Sequence, residues 1–267
     1  MQRLAFRSVF VSDVHLGLRE CQAGYLLDFL RSIRCEQLYL VGDILDIENM
    51  ARRPYWHADH GAVIAQVLAL AAGGTRVTYI PGNHDAPLRR MAGHRVCGIE
   101  IALESEHRGA DGRRYRVSHG DEFDGGVAIP AWLQRLGDVL QGVLCSANRR
   151  VNHVLRALGM HYRPFSIRLK SRVARARRFI LDFENRVADR ARRDGFDGHI
   201  CGHIHYGSLR EQDGVLYLND GDWVEHCTAL VEHADGTFEL LHWTERRVSL
   251  AREAPLPARV AELPAAA

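Results

Sequence analysis

The stretch Gln37-Leu38-Tyr39-Leu40-Val41-Gly42-Asp43-Ile44-Leu45-Asp46 decides the fold, because a strand-like apolar run stops at a glycine and gives way to two carboxylates. Such a run reads as a buried strand, and the polar pair falls where that strand leaves the sheet. Upstream, Ser8–Ser12 is a second β-branched and aromatic run, and Ala23–Ile33 has helical periodicity through Leu26, Leu27, Leu30 and Ile33. Downstream, His60–Ala72 reads as a helix and Arg76–Ile80 as a strand ending at Pro81-Gly82. Strand alternating with helix implies βαβ crossovers and at least partly parallel pairing. Further strands are expected at Gly98–Leu103, Tyr115–Ser118, His199–Cys201, Val215–Leu218, Ala229–His233 and Phe238–His242. Ala234-Asp235-Gly236-Thr237 supplies the turn of a closing hairpin.

The chain has 267 residues, with 46% hydrophobic and 25% charged. Those fractions exclude wholesale disorder, a collagen-like repeat and a membrane bundle. The six cysteines form no C-x-x-C pair, so they read as reduced, core-packing thiols. The amino terminus lacks the apolar core of a signal peptide. Val63–Ala72, the longest apolar stretch, is broken by Gln66 and falls short of the ~20 residues that span a bilayer. The expectation is a cytoplasmic protein. Between residues 129 and 194 the texture changes to three helical patterns, Trp132–Leu144, Val151–Leu158 and Val173–Val187. The net charge of +2 conceals a split: Asn148–Arg193 carries +11 and the remainder −9. We therefore expect a core of residues 1–128 and 195–248, a basic helical cap insert at 129–194, and a flexible tail rich in Pro and Ala at 249–267.

Chemistry concentrates in five short motifs, each closing an expected strand. They are Asp13-Val14-His15, Gly42-Asp43-Ile44-Leu45-Asp46, Gly82-Asn83-His84-Asp85, His119-Gly120-Asp121 and Gly202-His203-Ile204-His205. Alone, any one of them is an ordinary turn. Five in series place carboxylate, imidazole and carboxamide together where open α/β sheets put their sites. That set is hard to borderline, suited to Mn²⁺, Fe²⁺, Co²⁺ or Zn²⁺ rather than to metals that select thiolates. The neighbouring glycines let the backbone bring the groups close together. Asp46 and Asp85 read equally well as groups orienting histidines or loop backbone and as turn caps. His199 reads as a buried strand residue. Asp220 and Asp222 are expected to shape a turn near the site, His57 and His60 to cap a helix, and His226, His233 and His242 to be ordinary strand residues.

This series resembles the calcineurin-like metallophosphoesterase superfamily over about Val9 to Trp243, the insert excepted. The resemblance implies an α/β fold, a four-layer α/β/β/α sandwich, with two divalent metal ions, most simply Mn²⁺, at the strand ends. It implies that Asp13, His15 and His205 hold one ion, that Asn83, His119 and His203 hold the other, and that Asp43 bridges them. His84 would face the reacting phosphate as a catalytic residue together with Asp43. Two metals ~3.5–4 Å apart can share a hydroxide, formed from water whose pKa they lower, and grip phosphoryl oxygens. Relatives that became non-catalytic scaffolds have lost metal ligands, whereas all seven candidates are present here.

Within the superfamily, the chain is most similar to the UDP-2,3-diacylglucosamine pyrophosphatase family of lipid A biosynthesis, in its length, its His119-Gly120-Asp121 segment and its basic insert. The implied reaction is water attack on the pyrophosphate, releasing UMP and 2,3-diacylglucosamine 1-phosphate. The best-known branch of that family carries Arg where this chain has His84. The alternative is a phosphodiesterase, phosphatase or nuclease acting on another phosphoester. In the insert, Arg168, Lys170, Arg172, Arg175, Arg177 and Arg178 crowd one segment. Arginine suits phosphate oxygens, and a basic amphipathic helix suits an anionic membrane surface. The expected partner is an anionic nucleotide–glycolipid, with peripheral contact at the inner membrane surface. Nucleic acid fits less well because few aromatics are placed for base stacking, and no obligate protein partner is inferred.

Overall fold

The computed structural model describes residues 3–124, 151, 155 and 174–253. The first sheet is built on β1 (Leu4–Val11), β2 (Ile33–Val41) and β3 (Arg76–Ile80), which run parallel. It continues through β5 (Ile99–Ile101) to the two-residue β4 (Arg95–Val96) on one side. On the other side, β11 (Thr228–Glu232), β12 (Phe238–Trp243) and β13 (Arg247–Arg252) add antiparallel strands. The second sheet has the order β6 (Ser105–Arg108), β7 (Arg114–Val117), β8 (Gly198–Cys201), β10 (Val215–Asn219), β9 (Ser208–Gln212), and its β7, β8 and β10 are parallel.

Alternation along the strands sorts the core into layers. Val9, Val11, Leu38 and Leu40 pack with Leu26, Leu30, Val63 and Val67 from α1 (Ala23–Ser32) and α3 (Ala58–Ala72). The alternate residues Phe10, Tyr39 and Val41 face the other way, onto Tyr115, Val117, Ile200 and Leu218 of the second sheet. Outside that sheet, Phe183 and Val187 of α4 (Ala174–Arg193) pack on Cys201 and Tyr217. Helix, sheet, sheet and helix make the expected four layers.

Local differences have local causes. The first helix stops at Ser32 because Ile33 is already extended, and Ile33 pairs with Leu4 so that β2 begins four residues before the apolar run. A short helix, α2 (Ile47–Arg52), was not signalled, since none of its residues is buried. Glu184, Phe183, Val187, Ala188 and Ala191 of α4 are buried, whereas Phe179 on the same apolar stripe is 47% exposed. The carboxyl-terminal half of α4 therefore serves as the outer layer of the sandwich, although composition grouped it with the insert. Residues 249–252, expected in a flexible tail, instead form most of β13, where backbone pairing to β12 compensates for its exposed side chains. The other two helical readings of the insert lie outside the described residues, apart from the helical Val151 and Leu155. Among the described residues, no helix is long and apolar enough to cross a membrane.

Candidate metal centre

Five strands from both sheets deliver the motifs to one cleft: β1 leads to Asp13, β2 to Asp43, β3 to Asn83, β7 to His119 and β8 to His203. Within each sheet these strands run parallel, so their carboxyl ends fall on one side of it. The chain turns abruptly on leaving the strands. Asp13, His15, Asp43, His203 and His205 all hold left-handed backbone, with φ between 49° and 70°. Asp and His tolerate that region better than most residues, but the strain is real and characteristic of functional sites. Close approach is made possible by missing side chains. A Cβ on Gly82 would overlap Asp43 and His119, and one on Gly202 would overlap Ser12 and Asp13.

Three overlapping groups bring ligand atoms within 4.8 Å of one another: Asp13 with His15 and His205, His15 with Asp46 and His84, and Asp13 with Asp43 and His119. Asp43 Oδ2 lies 3.3 Å from His119 Nε2 and 3.9 Å from His15 Nε2. Asn83 joins through Oδ1, 3.3 Å from His119 Nε2. His203 lies with its ring centre 5.1 Å from that of His119. Thus all seven candidate ligands and His84 border one cleft. Arg168, Lys170 and Arg172 lie outside the described residues, and of Arg175 only its place in α4 is described.

Three of the imidazoles are oriented through one ring nitrogen. His119 Nδ1 donates to Val41 O at 2.9 Å, His15 Nδ1 sits 3.2 Å from Asp46 Oδ2, and His203 Nε2 sits 2.8 Å from Asp124 Oδ1. Metal-binding histidines are typically oriented in this way, by a carboxylate or carbonyl on the far nitrogen. His84 Nδ1 lies 3.2 Å from Asp46 Oδ1, and its backbone N–H donates to Asp43 Oδ1 at 2.8 Å. Asp46 fulfils both of its readings, since it also accepts Asn49 N–H at 2.9 Å as the cap of α2. Asp85 binds backbone, accepting from Gly82 at 2.5 Å and Ile44 at 2.9 Å.

The carboxylates and imidazoles of the centre shift one another's ionisation. Burial alone would raise the pKa of Asp43, but His119, His15 and His84 hold it well below the usual carboxylate range. Burial likewise opposes ionisation of Asp13 and is outweighed by His205 and His119. Burial works against protonation of His119 and His84, yet Asp43 drives His119 up to about 10, and Asp46 with Asp43 drives His84 up to about 9. Despite these charges, Asp13 Oδ1 and His15 Nε2 are buried without a well-directed hydrogen bond, although Asp13 Oδ1 is 3.2 Å from His205 Nε2. Buried polar atoms are normally satisfied. Converging carboxylate and imidazole ligand atoms, with His15 Nε2 left without a hydrogen bond, fit divalent metal ions.

The surroundings refine several sequence readings. His199 is fully buried, with Nε2 2.8 Å from Ser118 Oγ. His57 caps α3 by accepting Asp59 N–H at 3.2 Å, but His60 is buried and accepts Gly17 N–H at 3.2 Å rather than capping. His226 is not a strand residue: it stands in the turn before β11, bonded to Asp222, whose Oδ1 also accepts Val224 N–H at 2.8 Å. Asp222 Oδ2 comes within 4.0 Å of His205 Nδ1, and Asp220 accepts from Ser12 at 2.6 Å beside Asp13. Sequence reasoning missed Asp124 and Ser12. The acidic run after His119 was the available signal for the first, and nothing distinguished the second.

A family model for calcineurin-like phosphoesterases matches residues 6–207. No curated protein matches the sequence. Among solved structures, the chain is similar to YfcE, a phosphoesterase from E. coli, at 14% identity and a TM-score of 0.49, covering 93% of this chain and 98% of that one. It is similar to Vps29 from Entamoeba histolytica complexed with zinc at 13% identity and a TM-score of 0.45, covering 91% and 98%. Vps29 from Cryptosporidium parvum gives 11% identity and a TM-score of 0.46, covering 92% and 95%. At these scores the structural likenesses add nothing to the family match.

Proposed function

The chain belongs to the calcineurin-like phosphoesterase family, and from that premise we propose that it hydrolyses a phosphoanhydride at a two-metal centre. Asp13, His15 and His205 would hold one ion, Asn83, His119 and His203 the other, and Asp43 both. The observation that carries this reading is the convergence of two largely buried groups of ligand atoms that share Asp13, one with His15 and His205 and one with Asp43 and His119, with His15 Nε2 left without a hydrogen bond. When bound, the metals would supply an activated hydroxide and Lewis-acid stabilisation of phosphoryl charge.

The chain's own residues supply orientation and one proton donor. The His84 side chain is 35% exposed, so substrate can reach it. Asp46 takes its Nδ1–H and favours the imidazolium, which leaves Nε2–H to donate to a phosphoryl oxygen. A donor placed where charge develops contributes most in the transition state.

For the substrate, the proposal is UDP-2,3-diacylglucosamine, split into UMP and 2,3-diacylglucosamine 1-phosphate. Chain length, the His119-Gly120-Asp121 segment and the +11 charge of Asn148–Arg193 support it. The same basic segment supports peripheral contact with the cytoplasmic face of an anionic membrane. The test is UMP release by purified protein supplied with Mn²⁺, with Asp43→Ala as control. Turnover of aryl phosphodiesters with no release of UMP would overturn the substrate while leaving the metal centre standing.

A further inference from the structure

Asn83 and His119 reach the cleft from different sheets, and they are fixed with unequal firmness. The His119 ring is buried and tied by Nδ1 to Val41 O. Asn83 is exposed at the tip of the loop after β3, and its carboxamide oxygen meets His119 Nε2 at 3.3 Å. The position of Asn83 therefore depends on how its loop is held. Asp85 ties one side of that loop to Gly82 and to Ile44 beyond β2. The other side is held by Arg89, in the 3₁₀ turn Ala86–Met91. Its Nε donates to Pro81 O at 3.3 Å, and its Nη2 donates to both oxygens of Asp121, at 2.9 and 2.8 Å. Pro81 lies two residues before Asn83 and Asp121 two residues after His119, so one side chain spans the two loops. Glu122 stiffens the second loop by accepting the Gly120 N–H at 3.1 Å.

We infer that Arg89 is a positioning residue, clamping the Asn83 loop to the His119 loop through Asp121 and so setting the geometry of one metal site and not the other. The inference rests on the two-metal reading of the cleft. Arg89 is not a phosphate-binding cation, because its charge is matched by Asp121 across a partly buried pair. The loops of the other site are held differently: backbone bonds from Asp13, Val14 and His15 reach Gly42 and Asp43, and Asp13 itself accepts the His203 N–H at 2.8 Å, which ties down the loop carrying His205.

The test is calorimetric titration of the metal-free full chain with Mn²⁺ alone. Partners that orient metal ligands are typically worth ~10–100-fold in affinity. Arg89→Gln should weaken one of two sites by that factor, leave the other unchanged, and leave the metal-free melting temperature unchanged. The reversed pair Arg89→Asp with Asp121→Arg should recover the affinity, and Arg89→Lys should recover part of it. Two undisturbed sites in Arg89→Gln would overturn the clamp and leave the two-metal reading intact. Equal weakening of both sites, or a loss that tracks the metal-free melting temperature, would also overturn it. An unaltered protein that binds no Mn²⁺ would overturn the two-metal reading itself and the clamp with it.

Discussion

At the scale of single residues, the centre is a balance between buried negative charge and imidazole. His84 donates through Nε2 only while Asp46 holds Nδ1, so His84→Gln should keep both metals and lower kcat by ~10²–10³-fold, the usual loss for one transition-state donor. Steady-state kinetics beside metal analysis separate the two effects. Gly202→Ala tests the crowding independently: its methyl meets Ser12 and Asp13, so Mn²⁺ affinity should fall although no ligand has been removed. His199 makes a separate pH prediction. Burial, reinforced by Arg116 and Arg190, pushes its pKa down to about 3. The native state thus keeps His199 neutral while the unfolded chain takes up a proton below the ordinary histidine value. Stability is lost as pH falls from ~6.5 toward 3, by up to ~1.4 kcal/mol per unit from this group. Urea unfolding of His199→Gln should show a shallower acid limb. These residues differ in legibility. The motif residues stood out because chemistry-bearing types recurred at strand ends. Ser12, Asp124 and the buried role of His60 depend on partners far away in the chain, and no local spacing reports them.

At the scale of elements, two contacts join layers. Phe183 of α4 is fully buried between Phe123, Tyr217 and Cys201. Phe183→Ala should cost ~3–5 kcal/mol by leaving a cavity, measured by chemical denaturation. It should also loosen the His119–Asp124 segment, because Phe123 and His203 both lie against that ring. Between the sheets, the buried carboxylate of Glu232 on β11 accepts from Arg7 and Ser8 on β1, from His107 on β6, and from Ala110 N–H. Burial opposes its charge, but His107 and Ser8 hold its pKa below the usual value. Glu232→Ala strands these donors and should cost on the order of 3 kcal/mol. Elements with an apolar face, such as α1, α3, β2 and β3, were readable to within a few residues. The exposed α2 and β13 were not, because backbone pairing and capping hold them rather than a buried stripe.

At the scale of the whole molecule, metal binding and folding are linked. Ligands that bind only the native state add ~2.7 kcal/mol per site at a hundredfold excess over Kd. Mn²⁺ should therefore raise the melting temperature of metal-free protein, and EDTA should reverse the gain. A melting temperature indifferent to both would contradict the centre. The sequence by itself determined the alternation of buried strands and helices, the donor types and the strand ends that bear them, since each is written in local periodicity or a short motif. It also separated a basic segment from an acidic body. Only the tertiary structure decided which donors meet, which imidazole nitrogen stays available, and that Arg89 spans two loops. Those outcomes depend on how two separate sheets converge and on what lies across the cleft, and a one-dimensional pattern carries no distances between residues far apart in the chain.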